Sequence, residues 1–93
     1  MIIYNTNIGV DNYSINQCEV YPNPATNQIQ IKGIDESKPA QIKIYSILGQ
    51  LLYQDSQYSS SKTIQISGLE NGIYMVNISQ GNSEITKKFI LQR

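Results

Sequence analysis

The sequence contains no histidine and no tryptophan, and it has a single cysteine, Cys18. Histidine is the commonest general base and metal ligand, so its absence, together with the lone cysteine, excludes Ser-His-Asp triads, Cys-His dyads and zinc sites. A lone cysteine also forms no intrachain disulfide. We therefore expect a protein that is not an enzyme and that has no catalytic residues, no cofactor and no metal site.

The carboxylates and glycines indicate no catalytic, phosphate-binding or calcium-binding site. Asp35 and Glu36 are sequence neighbours in a polar loop, and side chains on adjacent residues seldom converge on one substrate. The glycines stand singly at predicted turns, so they form no phosphate-binding loop, and no run of alternating acidic residues resembles a calcium loop.

Net charge and long apolar runs are missing as well. Seven basic and seven acidic side chains cancel, which leaves no positive field to attract nucleic acid or anionic lipid. No apolar run reaches the ~20 residues of a membrane span, and no Lys or Arg precedes Lys32, so we expect neither an anchor nor a signal peptide in these residues. If the protein is exported, we expect its export signal upstream of Met1.

Isoleucine and tyrosine dominate what is present. The 93 residues include sixteen isoleucines and seven tyrosines, and β-branched and aromatic side chains favour strands over helices. A chain of this length forms one domain. Residues 1–16 keep no period of 2 or 3.6 and are interpreted as a linker or N-terminal arm, whereas residues 17–93 form the domain.

Short alternating segments recur from Cys18 onward between turn signals, at the spacing of ~8–12 residues typical of a β-sandwich. They predict strands at 18–21, 27–32, 41–47, 50–54, 63–67, 72–79 and 84–91, with a mobile loop at 55–61. The sixth segment is apolar on both faces, which indicates a central strand. Lys87 interrupts the alternation of the last, so we expect either a bulge near Lys87–Lys88 or an edge position. The predicted fold is all-β, a seven-stranded antiparallel immunoglobulin-like β-sandwich.

Four short stretches occur in a specific order and spacing: Val20–Pro24 (VYPNP), Ile44–Gln50 (IYSILGQ), Leu69–Tyr74 (LENGIY) and Lys87–Ile90 (KKFI). Together they closely resemble the type A C-terminal sorting domain of the type IX (Por) secretion system, a family of the Bacteroidetes. The resemblance covers about residues 19–93. Because such domains end shortly after the Lys-Lys-Phe strand, we expect Arg93 to be the native terminus.

The resemblance implies a secretion signal that directs an attached N-terminal cargo domain across the outer membrane. Its implied partners are the outer-membrane translocon, shuttle and sortase of the type IX machinery, with no nucleic acid and no direct membrane insertion. The protein would pass through the periplasm and reach the outer membrane, the cell surface or the extracellular space, commonly after a sortase removes the label and attaches the cargo to the surface.

The same stretches supply the residues that we expect to matter for recognition: Tyr21, Pro22, Asn23, Pro24, Gly49, Gly72, Tyr74, Lys87, Lys88 and Phe89. Each also has a structural interpretation. The two prolines fix a rigid turn, in which the tyrosine caps the core edge and the asparagine bonds its own turn. The two glycines allow backbone conformations that other residues disfavour. The second tyrosine packs in the core with a satisfied hydroxyl. The lysine pair either protects a sheet edge or docks on an acidic partner.

Two other functions are compatible with a β-sandwich. A carbohydrate-binding or adhesive module would use exposed Tyr45, Tyr53 and Tyr58 as stacking surfaces for sugars, although the absence of tryptophan weakens this hypothesis. A purely structural module would stabilise an attached catalytic domain without changing its location.

Overall fold

The computed structural model describes residues 18–93, which form seven β-strands and no helix, and so contain no helix able to cross a membrane. The strands are β1 (Glu19–Tyr21), β2 (Gln28–Lys32), β3 (Ala40–Ser46), β4 (Leu51–Tyr58), β5 (Ile64–Gln65), β6 (Gly72–Gln80) and β7 (Ser83–Leu91). The linker that the sequence predicts at 1–16 lies outside the described residues.

The strands form two sheets, one of three strands in the order β1-β2-β5 and one of four in the order β4-β3-β6-β7. All strand pairs are antiparallel, which confirms the predicted seven-stranded antiparallel sandwich. The strand order differs from that of a constant-type immunoglobulin domain in one respect. There the fourth strand joins the sheet of the first, second and fifth strands, whereas here β4 pairs with β3.

The core lies between the sheets and is built mainly from isoleucine. Ile29 and Ile31 from β2 face Ile42 and Ile44 from β3, and all four side chains are fully buried. Their spacing of two residues places each pair on one face of its strand. The central position predicted for the sixth strand is confirmed, because β6 pairs with β3 on one side and with β7 on the other.

The largest difference from the sequence prediction lies at Tyr58, which ends β4 instead of belonging to a loop. Its side chain is fully buried. The hydroxyl accepts a hydrogen bond from the backbone N–H of Ile31 at 2.8 Å and donates one to the carbonyl of Lys62 at 3.0 Å. Tyr58 therefore bridges the two sheets and offers no stacking surface, which removes it from the proposed sugar-binding set.

A second buried polar contact lies at the end of the sandwich where β6 ends and β7 begins. Gln80 is predicted in a turn, but it ends β6 and is buried. Its amide nitrogen donates to the carbonyls of Asp35 and Lys38, each at 2.9 Å, and its amide oxygen accepts from the N–H of Asp35 at 2.9 Å. This one side chain holds the loop between β2 and β3 against the four-stranded sheet.

The last strand has no bulge, so that alternative is wrong. Residues 83–91 pair with residues 72–80 in continuous register. β7 is instead an edge strand of its sheet, and Lys87 lies half-buried on the core-facing side, opposite Val76. An edge position lets the long lysine side chain bury its methylenes while the ammonium group reaches water.

Candidate recognition site

The four stretches that carry the resemblance meet at one end of the sandwich. β6 begins there with Gly72 opposite Leu91, and β3 ends there with Ser46 opposite Tyr74. Ala25, just after the proline turn, forms a parallel bridge with Leu91. We call this region the motif end; it comprises residues 21–25, 46–51, 69–74 and 88–93.

The Tyr21–Pro24 turn is exposed, and both of its X-Pro peptide bonds are cis. The expectation that Asn23 bonds its own turn is wrong, because its side-chain oxygen accepts a hydrogen bond from the backbone N–H of Ile90. Tyr21 also does not cap the core: Val20 takes the inward position, and the Tyr21 ring lies outward with Lys32 Nζ at 5.3 Å from its centroid.

Gly49 and Gly72 occupy backbone conformations in which other residues are strained. Gly49 has a φ of +92° in the β3–β4 hairpin, where its N–H donates to the Ser46 carbonyl at 2.9 Å. Gly72 has a φ of +157°, near the limit of the region that favours glycine. An added Cβ would meet no atom within 4 Å at either position, so backbone conformation alone explains these glycines.

Tyr74 and Phe89 form the buried base of the motif end. They are directly opposite each other on β6 and β7, and their rings stack with centroids 5.5 Å apart and an interplanar angle of 24°. The Tyr74 hydroxyl donates a hydrogen bond to the backbone carbonyl of Glu70. Both side chains are buried, so they support the surface above them and present no surface of their own.

Lys87 and Lys88 do not form a joint basic patch, because consecutive residues of a strand point to opposite faces. Lys87 lies on the core-facing side near Cys18. Burial raises the pKa of the Cys18 thiol, and the positive charge of Lys87 offsets part of that rise. Lys88 is exposed on the outer face, opposite Met75. Neither lysine forms an ion pair within residues 18–93.

Arg93 is a site residue that sequence reasoning missed. Its guanidinium donates to the carbonyls of Leu69 at 2.7 Å and Ile66 at 2.8 Å, and more weakly to the side chain of Asn27 at 3.4 Å. Its backbone N–H donates to the side chain of Asn71 at 3.1 Å. Arg93 thereby joins the end of β7 to the turn between β5 and β6. A single arginine after the last strand carries no periodic signal that could have indicated this role.

Fold and site together define a β-sandwich recognition module, whose exposed turns at one end rest on buried aromatic packing. Residues 19–92 match the family described as the secretion system C-terminal sorting domain, and the chain belongs to that family. Its members are the C-terminal sorting signals of type IX secretion cargo, and the family is not catalytic. The domain therefore serves as a sorting signal that interacts with the secretion machinery, and such cargo is exported to the cell surface or the extracellular space.

Two known proteins resemble the chain. The ulvan lyase NLR42 of Nonlabens ulvanivorans is 26% identical over 83 residues, which cover 86% of this chain and 15% of the lyase. A solved structure of PorZ, described as an essential surface component of the type-IX secretion system of Porphyromonas gingivalis, superposes with a TM-score of 0.69 at 20% identity. That match covers 86% of this chain and 12% of the PorZ chain, and it supports the fold. The chain thus spans a small part of each relative's length.

Proposed function

We propose that this domain is the address label of a longer cargo protein that crosses the inner membrane by a separate signal and passes through the periplasm. The outer-membrane translocon then recognises the folded label with the help of a shuttle protein. A surface sortase removes the label and attaches the cargo to the cell surface.

The observation that carries this proposal is the convergence of the four motif stretches at the motif end. They are spread over about 70 residues of sequence and belong to both sheets, yet they share one end of the molecule. A partner protein binds a folded surface, so residues that lie together at one end of the domain can form a single binding site. The exposed Tyr21–Pro24 turn, the β3–β4 hairpin tip at 47–50 and Lys88 are among the members of these stretches that a partner can reach.

Residues 1–16 are proposed as the linker to the cargo. Their sequence is rich in asparagine and has no strand or helix period, which suits a segment that a protease binds in extended form. Because the chain matches only 15% of the length of the ulvan lyase, we further propose that the cargo is a much larger secreted protein, whose activity resides outside these residues.

The proposal is tested with a fluorescent reporter that carries an inner-membrane export signal and ends in the complete 93-residue chain. In a type IX-competent bacterium we expect the reporter at the cell surface or in the medium. In an isogenic strain without the outer-membrane translocon we expect it in the periplasm. Periplasmic retention in both strains contradicts the proposal and favours a structural or sugar-binding module.

Cleavage is followed in the same cells. Mass spectrometry of the surface-exposed reporter is expected to find a new carboxyl terminus within the first 17 residues of the chain. A reporter that keeps the intact domain at the surface contradicts the sortase step alone, because delivery has then occurred without removal of the label.

A further inference from the structure

We propose that the outer face of the four-stranded sheet at the motif end is the docking surface for a protein of the secretion machinery, and that this protein presents an apolar groove bordered by carboxylates. The inference rests on the proposed function and assigns it a surface. The residues of this surface, which we call the apolar strip, are Tyr45, Ile47, Leu48, Leu51, Ile73, Met75 and Ile90.

Exposed apolar side chains are concentrated on this surface. Of the six large apolar or aromatic side chains that are exposed within residues 18–93, five belong to the apolar strip. Leu48 is 94% exposed and Ile47 is 68% exposed. Single exposed apolar residues are ordinary on protein surfaces, but a contiguous set marks an interaction site.

Strand register places five of these residues side by side, and Ile47 and Leu48 lie in the hairpin tip that joins β3 to β4. Tyr45 is opposite Leu51 on one side and opposite Met75 on the other, so one row runs across β4, β3 and β6. Ile73 and Ile90 are opposite each other and form the next row. Directly opposite residues share a face of a sheet, and this face is the outer one because Tyr74 and Val76, between these positions, are buried.

The fold does not require apolar side chains at the tip of the β3–β4 hairpin. The turn geometry depends on Gly49 and on the Ser46 side chain, whose oxygen accepts a hydrogen bond from the Gln50 N–H at 3.1 Å. Ile47 and Leu48 contribute nothing to that geometry and expose their side chains to water. Polar residues are usual at such positions. Two exposed apolar side chains at the tip lower the solubility of the domain, which indicates that a partner covers them.

Charge defines the chemistry of that partner. Lys43 and Lys88 flank the apolar strip on the same outer face, since Lys43 is two residues from Tyr45 and Lys88 is opposite Met75. The acidic residue on the outer face of β7, Glu84, lies four residues from Lys88, opposite Ser79 at the far end of the sheet. A partner with carboxylates beside its groove complements this pattern.

The same charges disfavour a second copy of the chain as the occupant. Two copies packed face to face through the apolar strip would bring the flanking lysines, Lys43 and Lys88, close to one another, since Glu84 lies at the far end of the sheet. Like charges facing each other disfavour a contact. A lipid surface is a less specific match, since two lysines provide little attraction to anionic headgroups.

Delivery of the reporter with the complete chain tests the docking surface. We expect Leu48→Ser to lower the delivered fraction about tenfold, the loss typical of a buried anchor at an interface, while Leu48→Met retains delivery. We expect Lys88→Glu to lower delivery as well, while Lys38→Glu, the same charge change in the β2–β3 loop at the opposite end of the sandwich, has no effect. Thermal unfolding of each purified variant is expected to stay close to that of the parent.

A photo-crosslinking amino acid at position 48 identifies the class of occupant. We expect a crosslink to a protein of the secretion machinery that disappears in the strain without the translocon, and no such crosslink from position 62. A crosslinked dimer of the chain overturns the proposal in favour of self-association. Flotation of the purified chain with phosphatidylcholine-phosphatidylglycerol vesicles, lost in Leu48→Ser, overturns it in favour of a lipid surface.

The failures of the two proposals are distinguishable. If the unmodified reporter is delivered and Leu48→Ser and Lys88→Glu are delivered equally well, the docking surface is wrong and the sorting function stands. If the unmodified reporter remains in the periplasm of the competent strain, both are wrong.

Discussion

The side-chain oxygen of Asn23 accepts a hydrogen bond from the backbone N–H of Ile90 at 3.0 Å, although 67 positions separate the two residues. Ala25 continues the same contact, because its N–H donates to the Ile90 carbonyl at 2.7 Å and its carbonyl accepts from the Gln92 N–H at 2.9 Å. The proline turn that follows β1 is thereby fastened to the last strand of the other sheet.

Replacement of Asn23 tests this fastening. We expect Asn23→Ala to lower the free energy of unfolding by about 0.5–1 kcal/mol, because the Ile90 N–H exchanges its protein acceptor for water at an exposed site. Asn23→Asp keeps an acceptor of the same size and is expected to unfold close to the parent. Urea denaturation measures both, and equal losses for the two variants contradict the assigned hydrogen bond.

Tyr58→Phe isolates the contribution of one buried hydroxyl. The variant retains the ring but leaves the Ile31 N–H without its acceptor inside the sandwich, so we expect a loss of about 1–3 kcal/mol. Tyr45→Phe is the matched control, since the Tyr45 hydroxyl has no hydrogen bond within the described residues, and we expect a change below about 0.5 kcal/mol. An unchanged denaturation midpoint in Tyr58→Phe contradicts a stabilising role for the buried hydroxyl.

Alkaline pH is expected to destabilise the fold. Burial raises the pKa of Tyr58 above its ordinary value, and it raises the pKa values of Tyr53 and Cys18 in the same direction. At high pH the unfolded chain releases protons that the folded chain keeps, so stability is complete below about pH 8.5–10 and falls as pH rises through the higher folded values.

Denaturation curves at pH 8 to 11 check this sign. The decline of the unfolding free energy with pH is expected to be shallower in Tyr58→Phe and in Cys18→Ala, each of which removes one titrating group. A decline of unchanged slope in both variants shows that other groups govern the alkaline limit.

Comparison of substitutions at Gly49 and Gly68 distinguishes the effect of backbone strain from that of side-chain crowding. An added Cβ meets no atom within 4 Å at either position, but only Gly49 has a positive φ. We expect Gly49→Val to cost about 1–3 kcal/mol and Gly68→Val to cost clearly less. Gly72→Val should lie between them, because its φ of +157° approaches extended backbone. Thermal melts of the three variants rank the costs, and equal melting temperatures contradict the turn geometry.

Arg93 is expected to stabilise the motif end through geometry and not through charge alone. Arg93→Ala removes the guanidinium bonds to Leu69 and Ile66, for which we expect a loss of about 1–2 kcal/mol, since the contact is partly exposed to water. Lysine presents a compact ammonium in place of a planar fork, so Arg93→Lys is expected to recover less than half of this loss. Full recovery by lysine, measured by urea denaturation, is the outcome that contradicts this role.

Sequence periodicity predicted most of the fold because apolar alternation reports directly on which side chains face the core. Ile42 and Ile44 are inward, as the alternation of the third segment predicts. Tyr74 is buried, as predicted, and Val76 and Ile78 are buried on the same face of β6. The strand ends were less predictable. Tyr58 lies in a polar, serine-rich stretch whose composition indicates a loop. Its buried hydroxyl is hydrogen-bonded to Ile31, which is remote in the sequence, and to Lys62 in the loop that follows β4.

The parts of the motif end that sequence reasoning missed are polar contacts between remote segments. The donor to Asn23 and the four acceptors that Arg93 contacts depend on how the two sheets pack against each other. No local sequence pattern encodes that packing. The apolar strip was missed for a related reason. The sequence shows that both faces of β6 are apolar, but it does not reveal that the apolar residues on the outer faces of four strands and one hairpin tip become neighbours.

The bridge between Ala25 and Leu91 ties closure of the sandwich to the last residues of the edge strand. Removal of Leu91, Gln92 and Arg93 takes away the partners of Ala25, Gly72 and the turn before β6. A variant without these three residues is therefore expected to lose the contacts between the sheets at the motif end, even though most of the isoleucine core is retained.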